Sequence, residues 1–293
     1  MQKKGTLYIV AMPIGHPDDI TIRAVQTLKD ADVIAAEDTR LTARLLSHHH
    51  ITSRMVSFHE HNETDSAPSL LKMLEEGLSI ALVSDAGTPS VSDPGYRLVH
   101  GAIEKDIPVI PVPGPSAAIA ALSVSGLPSD AFSFLGFPPK KKGRRMAYLQ
   151  ALKQETRTLI FYESPKRILE YIQDAKDVLG DRPAVLCREM TKVYEEYLRG
   201  RLSEIYGVLA SRPSVKGECT LLIGWEEDEA VPLETARDEI RKELLKNPGG
   251  ISELSKKIAK KYGLPRNKIY GEALAFLNEK NSGQHEEVSL PEI

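Results

Sequence analysis

The sequence is poor in the residues that build metal and redox centres. It has two cysteines, Cys187 and Cys219. Each lies in an apolar run, Ala184-Val185-Leu186 before the first and Thr220-Leu221-Leu222-Ile223 after the second. That is the setting of buried core thiols in a reducing compartment. No cysteine and histidine spacing suits zinc. The densest histidine run is His48-His49-His50, and neighbours on a helix point about 100° apart, so they are not expected to converge on one ion and no structural metal is predicted. Neither G-x-G-x-x-G nor G-x-x-x-x-G-K-[ST] occurs, which removes the dinucleotide fingerprint and the P-loop. No apolar run approaches the ~20 residues of a membrane span. The run at 7–11, after Lys3 and Lys4, ends at Pro13 and is too short for a signal segment, so no membrane association is expected and the protein reads as cytoplasmic. A basic excess is missing too. Lysine and arginine number 38 against 41 aspartates and glutamates, a net charge of −3 over 293 residues. Any nucleic-acid contact must come from local patches.

What is present is a regular alternation. Continuous apolar runs at 7–11, 33–36, 55–58, 80–84 and 109–112 read as parallel strands buried on both faces. Amphipathic stretches such as 21–29, with Ile22, Val25 and Leu28 on one stripe, and 70–76 lie between them. Strand-helix alternation predicts a parallel α/β domain over 1–114. A small-residue helix at 118–124, stopped by Gly126-Leu127-Pro128, makes a bridge over 115–127. Runs at 132–135, 158–162, 184–187 and 218–223 predict a second α/β domain over 128–225. An acidic linker follows at 226–231, then helices at 235–246, 251–262 and 266–277. These form a small helical extension over 232–280 whose turn resembles a helix-turn-helix. The tail at 281–293 has no periodic pattern and is expected to be disordered.

The strand ends of the first domain carry the chemistry. They run into Met12-Pro13-Ile14-Gly15, Glu37-Asp38-Thr39-Arg40, His59-Glu60-His61-Asn62-Glu63, Asp85-Ala86-Gly87-Thr88-Pro89 with Ser92-Asp93-Pro94-Gly95, and Pro113-Gly114-Pro115-Ser116. Ligands of open α/β sheets bind beyond the carboxyl ends of the strands, and loops of glycine and proline let the backbone approach a ligand closely. One such loop is ordinary punctuation; the whole series on one edge is a site. A second feature is Lys140-Lys141-Lys142-Gly143-Arg144-Arg145 after Pro138-Pro139. On an acidic protein this basic run is a candidate phosphate contact, and Lys140, Lys141, Lys142, Arg144 and Arg145 are the candidate RNA-binding residues.

These motifs, with Gly5-Thr6-Leu7-Tyr8-Ile9-Val10, Ser92-Asp93-Pro94-Gly95-Tyr96-Arg97 and Phe161-Tyr162-Glu163-Ser164-Pro165, resemble the bacterial 16S ribosomal RNA (cytidine 2′-O) methyltransferases. Those belong to the tetrapyrrole methylase superfamily, the class III S-adenosylmethionine enzymes. The resemblance runs over about residues 5–224. It implies two α/β domains with S-adenosylmethionine in a cleft between them, a homodimer, and the small ribosomal subunit or its 16S RNA as partner. Carried over by position, Pro13, Ile14 and Gly15 would border the cofactor, with Asp85, Thr88, Ser116 and Ala117 from the later loops. Tyr162, Glu163 and Arg188 would close the site from the second domain. Met12, His16-Pro17 and Lys166 depart from the family pattern, so no side-chain role is carried to those positions.

Methyl transfer to a ribose hydroxyl is an in-line displacement helped mainly by positioning. A general base could add roughly 10²–10⁴-fold. The candidates are Asp38, His59, Glu60 and His61, with His59 or Glu60 favoured. Two other readings fit parts of the chain: a methyltransferase of small tetrapyrroles in cobalamin or sirohaem synthesis, and a DNA-binding regulator whose α/β part senses a ligand. The first leaves the basic run and the helical extension unexplained; the second rests on a pattern that accessory helices often produce.

Overall fold

A computed structural model describes residues 4–225, 233–246, 250–262, 264 and 266–283. The first half forms a sheet from β1 (Leu7–Val10), β2 (Val33–Ala36), β3 (Met55–Ser57), β4 (Ile80–Val83) and β5 (Val109–Val112), in the order β3-β2-β4-β1-β5. Every pairing is parallel, so all the carboxyl ends share one edge. The continuous runs of the sequence divide between two faces. Val10, Ile34, Ala36, Ala81 and Val83 pack under α1 (Ile22–Asp30) and α2 (Thr39–His48). Leu7, Val33, Ala35, Ile80 and Leu82 pack under α3 (Glu63–Glu75) and α4 (Tyr96–Glu104). The chain therefore leaves β1 toward one face and its neighbour β4 toward the other. Between such divergent connections an α/β sheet opens a crevice.

The second half is a mixed sheet of β6 (Phe132–Phe134), β7 (Thr158–Glu163), β8 (Pro183–Arg188), β9 (Glu196–Arg201) and β10 (Cys219–Ile223), ordered β6-β7-β10-β8-β9. Only β6 and β7 are parallel; the other pairs are antiparallel. Leu159, Phe161, Leu186 and Leu221 face α6 (Lys142–Ala151), α7 (Ile168–Leu179) and α8 (Leu202–Ala210). The other face meets α5 (Ala117–Ser125), whose Ala118, Ala121 and Leu122 lie on Ile160, Val185, Cys187 and Leu222 together with Ile14 and Met190. The expected bridge is thus a helix packed on the second sheet, and its alanines allow the close approach. Both thiols are buried and free, and burial pushes each up to about 12, as core cysteines require.

β9 has no counterpart among the expected strands. α3 begins seven residues before the predicted helix, at Glu63, and carries Pro68 inside it. The basic run enters a helix: from Lys142 onward it is the first turn of α6. The described residues between 233 and 283 belong to a separate compact unit. In it α9 (Leu233–Lys246), α10 (Ile251–Tyr262) and α11 (Arg266–Gly283) pack around Ile240, Leu244, Ile258 and Ile269. Arg237 to Glu272 at 2.7 Å and Lys261 to Glu239 at 2.6 Å tie them at the surface. α11 takes in residues 281–283, the start of the tail expected to be disordered; the expected acidic linker at 226–231 and the remaining tail at 284–293 lie outside the described residues. No helix among the described residues is long and apolar enough to cross a membrane.

Candidate active site

The loops at the carboxyl edge of the first sheet and the facing ends of β7 and β10 enclose a cavity of about 480 Å³, within the range of small-molecule sites. Ile14, Asp85, Thr88, Ser116, Ala117, Tyr162 and Glu163 line it, so most residues of the expected cofactor set meet in one space. Each is held by a local device. Met12 and Gly87 exchange backbone hydrogen bonds of 2.7 and 3.1 Å, strapping the loop after β1 to the loop after β4. Gly15 fits closely against the loop after β8: a Cβ there would lie 2.5 Å from Thr191 Oγ1 and 2.8 Å from the Met190 carbonyl oxygen. The hydroxyl of Tyr162 accepts the Ala118 N–H at 3.1 Å, fixing the start of α5.

Five acidic residues line this cavity; Glu163 and Glu218 pair with Arg167 and Lys192, leaving Glu37, Asp85 and Asp93. Burial raises all three, and neighbouring carboxylates add to it. Asp93 is pushed up to about 7 by burial and by Glu37, with a hydrogen bond from Ser84 opposing the shift. Like charge gathered in a partly buried space is costly unless positive charge offsets it, which favours a cationic ligand there. The backbone around Asp93 is strained to match. Ser90 and Ser92 have φ of +69° and +66°, Gly95 has +142°, and a Cβ at Gly95 would lie 2.2 Å from Ser90 Oγ. The carboxylate of Glu63 holds this loop by accepting the N–H groups of Gly95 (3.2 Å) and Arg97 (2.9 Å). Asp93 and Glu37 were quoted in the edge motifs but not proposed as site residues; their place in the cavity lining, which residue type does not reveal, marks them.

Several expected residues stand elsewhere. Pro13 and Gly15 line a neighbouring cavity of about 360 Å³ that shares Asp85 with the first. Arg188 does not line the cavity: it pairs with Glu196 at 2.9 Å and donates to the Lys216 carbonyl. Glu163 does line the large cavity, but its carboxylate is buried and bound by Arg167 and by the Ser164 N–H. Asp38 caps α2, accepting the Arg40 N–H at 2.8 Å and pairing with the Arg40 side chain at 2.7 Å. Those bonds hold its carboxyl well below the usual range, which makes it a poor base. His59 follows β3, its N–H bound by Asn62 Oδ1 at 2.8 Å, and its ring Nδ1 is buried with no hydrogen-bond partner among the described residues. The ring is close enough to Glu37 to act on its charge. Glu60 and His61 are exposed.

The basic run is corrected at one position. Arg145 is buried, its Nε donating to Asp174 at 2.7 Å and its guanidinium 2.6 Å from Glu170; a cation so enclosed is structural, not a phosphate contact. Lys142 reaches Asp174 at 3.8 Å. Lys140, Lys141 and Arg144 are exposed.

A cavity that size, walled by Ile14, Phe137 and Met190 and bearing carboxylates, fits a nucleoside that carries positive charge, as S-adenosylmethionine does at its sulfonium and its ammonium. The chain belongs to the tetrapyrrole (corrin/porphyrin) methylases, whose sequence pattern matches residues 6–206. It is an S-adenosylmethionine-dependent methyltransferase of that family. Within the family it groups with proteins named ribosomal RNA small subunit methyltransferase I. It is 45% identical over 267 residues to the one from Micromonospora olivasterospora, covering 91% of this chain and 85% of that one. It is 50% identical over 231 residues to the one from Halalkalibacterium halodurans, covering 79% and 80%. Solved structures share the fold at lower identity. Uroporphyrin-III C-methyltransferase from Thermus thermophilus matches with a TM-score of 0.55 at 22% identity over 75% of this chain and 94% of that one. Diphthine synthase matches with 0.58 at 14% over 75% and 90%.

Proposed function

We propose that the chain methylates the ribose 2′-hydroxyl of a cytidine in the 16S RNA of the small ribosomal subunit, as a cytoplasmic homodimer. The observation that carries the substrate class is the likeness, over most of the chain, to relatives named for small-subunit ribosomal RNA. The family match over the α/β halves leaves no support for a DNA-binding regulator. The basic residues ahead of α6 favour RNA over a small tetrapyrrole.

When bound, S-adenosylmethionine supplies a methyl group on a cationic sulfur. Asp85, Asp93 and Glu37 provide the negative charge that this cation needs, and Ile14, Thr88, Ser116, Ala117 and Tyr162 shape the cavity around it. His59 accepts the proton of the ribose hydroxyl. Its loop is fixed by Asn62, and Glu37 beside it stabilises the imidazolium that results. Glu60, exposed on the same loop, faces the incoming RNA. The test is transfer of labelled methyl to small subunits, free 16S RNA, tetrapyrroles and duplex DNA, with the RNA digested to nucleosides. Label in 2′-O-methylcytidine is expected; label on a base or on a tetrapyrrole would overturn the reading.

Lys140, Lys141 and Arg144 hold RNA phosphates in this proposal. Each engaged cation contributes roughly 0.7–0.9 to the slope of log K against log salt. Neutralising all three should therefore lower the slope for RNA binding by about two, with cofactor affinity unchanged. Parallel salt plots for the two proteins would place the RNA elsewhere.

A further inference from the structure

His48 and His49 do converge, against expectation, because α2 ends between them: His48 is its last residue and His49 is the C-cap. The two rings meet edge-on with centroids 4.8 Å apart. Both turn toward the short 3-10 turn Pro17–Asp19. His48 Nε2 is 2.9 Å from Asp18 Oδ1, and His49 Nε2 is 3.3 Å from the Pro17 carbonyl oxygen. One ligand atom from each of Asp18, His48 and His49 lies within 4.8 Å of the others. A single ion pair would need one imidazole; here a second is aimed at the same turn.

We propose that this cluster is a surface site for a divalent late first-row metal ion, zinc in particular. A ring nitrogen of His48, a ring nitrogen of His49 and a carboxylate oxygen of Asp18 hold it, and water completes the tetrahedron. Zinc bonds of ~2.0–2.2 Å put tetrahedral ligand atoms about 3.3 Å apart. Closing from the present spacing takes only side-chain rotations, and Asp18 and His48 are exposed enough to make them (66% and 50%). The ion takes the place of the His48–Asp18 hydrogen bond, with His48 bound as the neutral imidazole that keeps its N–H on the other ring nitrogen. Two imidazoles and one carboxylate suit zinc, copper(II) or nickel(II) and disfavour magnesium and calcium, which take oxygen ligands. The two thiols of the chain are buried and offer no competing surface site. A bound ion would clamp the end of α2 to the turn that directly follows Pro13, Ile14 and Gly15, and Ile14 lines the large cavity.

The test is a zinc titration of the untagged full chain by calorimetry, with magnesium as the oxygen-seeking control. One equivalent is expected, with a melting temperature that rises with zinc concentration. His48→Ala, His49→Ala and Asp18→Asn should each weaken binding by at least the roughly 10–100-fold that outer-sphere partners contribute. His50→Ala should bind as the wild type does, its exposed side chain lying beyond the cap. Circular dichroism of each variant separates loss of the site from loss of the fold. Zinc binding no tighter than magnesium, retained affinity in His48→Ala, or equal loss in His50→Ala would overturn the proposal.

Discussion

His59→Ala should lower kcat by about 10²–10⁴-fold, the range a positioned general base contributes, while leaving the affinity for S-adenosylmethionine unchanged. Its ring is not part of the cavity lining, so cofactor binding has no reason to respond. The buried Nδ1 has no hydrogen-bond partner among the described residues, and a buried polar atom left unsatisfied in a native fold calls for an explanation in function. The neighbouring candidates are poorer. Asp38 is committed to capping α2 and pairing with Arg40, and Glu60 stands in solvent. Single-turnover methylation of small subunits, with cofactor affinity measured in parallel, separates the outcomes. Unchanged kcat in His59→Ala would leave positioning alone to drive the transfer.

Asp93→Asn should weaken S-adenosylmethionine about 10- to 150-fold, the equivalent of the roughly 1.5–3 kcal/mol that a hydrogen bond or contact to a charged group contributes. It should also change the pH dependence. Because burial pushes this carboxyl up to about 7, a cation that favours the carboxylate must displace a proton. Wild-type affinity should therefore fall by up to about tenfold per unit as pH drops below 7, and the Asn variant should be flat over that range. Stability moves the other way. A carboxyl whose folded pKa is raised favours the fold at low pH and loses that contribution as pH rises from about 4 toward 7. The Asn variant should then melt above the wild type at pH 8, with the gap narrowing as pH falls toward 4. Equal cofactor affinity at every pH would remove Asp93 from the site.

The first sheet was readable because its strands are unbroken apolar runs, and parallel pairing then brings their loops to one edge. The second sheet was readable except for β9. Its Glu196, Arg199 and Arg201 break the apolar pattern because it lies at the sheet edge, paired only to β8. The expected cofactor residues that line one cavity, Ile14, Asp85, Thr88, Ser116, Ala117 and Tyr162, sit on strand ends, loops or, for Ala117, the start of α5, all legible as such. What residue type could not convey was burial. Asp93 and Arg145 look like surface charges in the sequence. One is enclosed by a strained loop, and the other by Asp174 and Glu170, which lie 25 and more residues away along the chain. His48 and His49 face the same turn because α2 ends between them, and helical spacing does not apply beyond a helix end.

The place of β10 bears on how the chain forms as it is made. β10 is the last strand in sequence yet lies between β7 and β8. The first sheet has all its strands once Val112 has left the ribosome. The second stays as two separate pairs, β6 with β7 and β8 with β9, each with an open edge, until residues 219–223 emerge and join them. Unpaired edges of this kind invite pairing with other chains. The interval between synthesis of Arg201 and Ile223 is therefore the stretch of translation at which this protein is most exposed to misassembly.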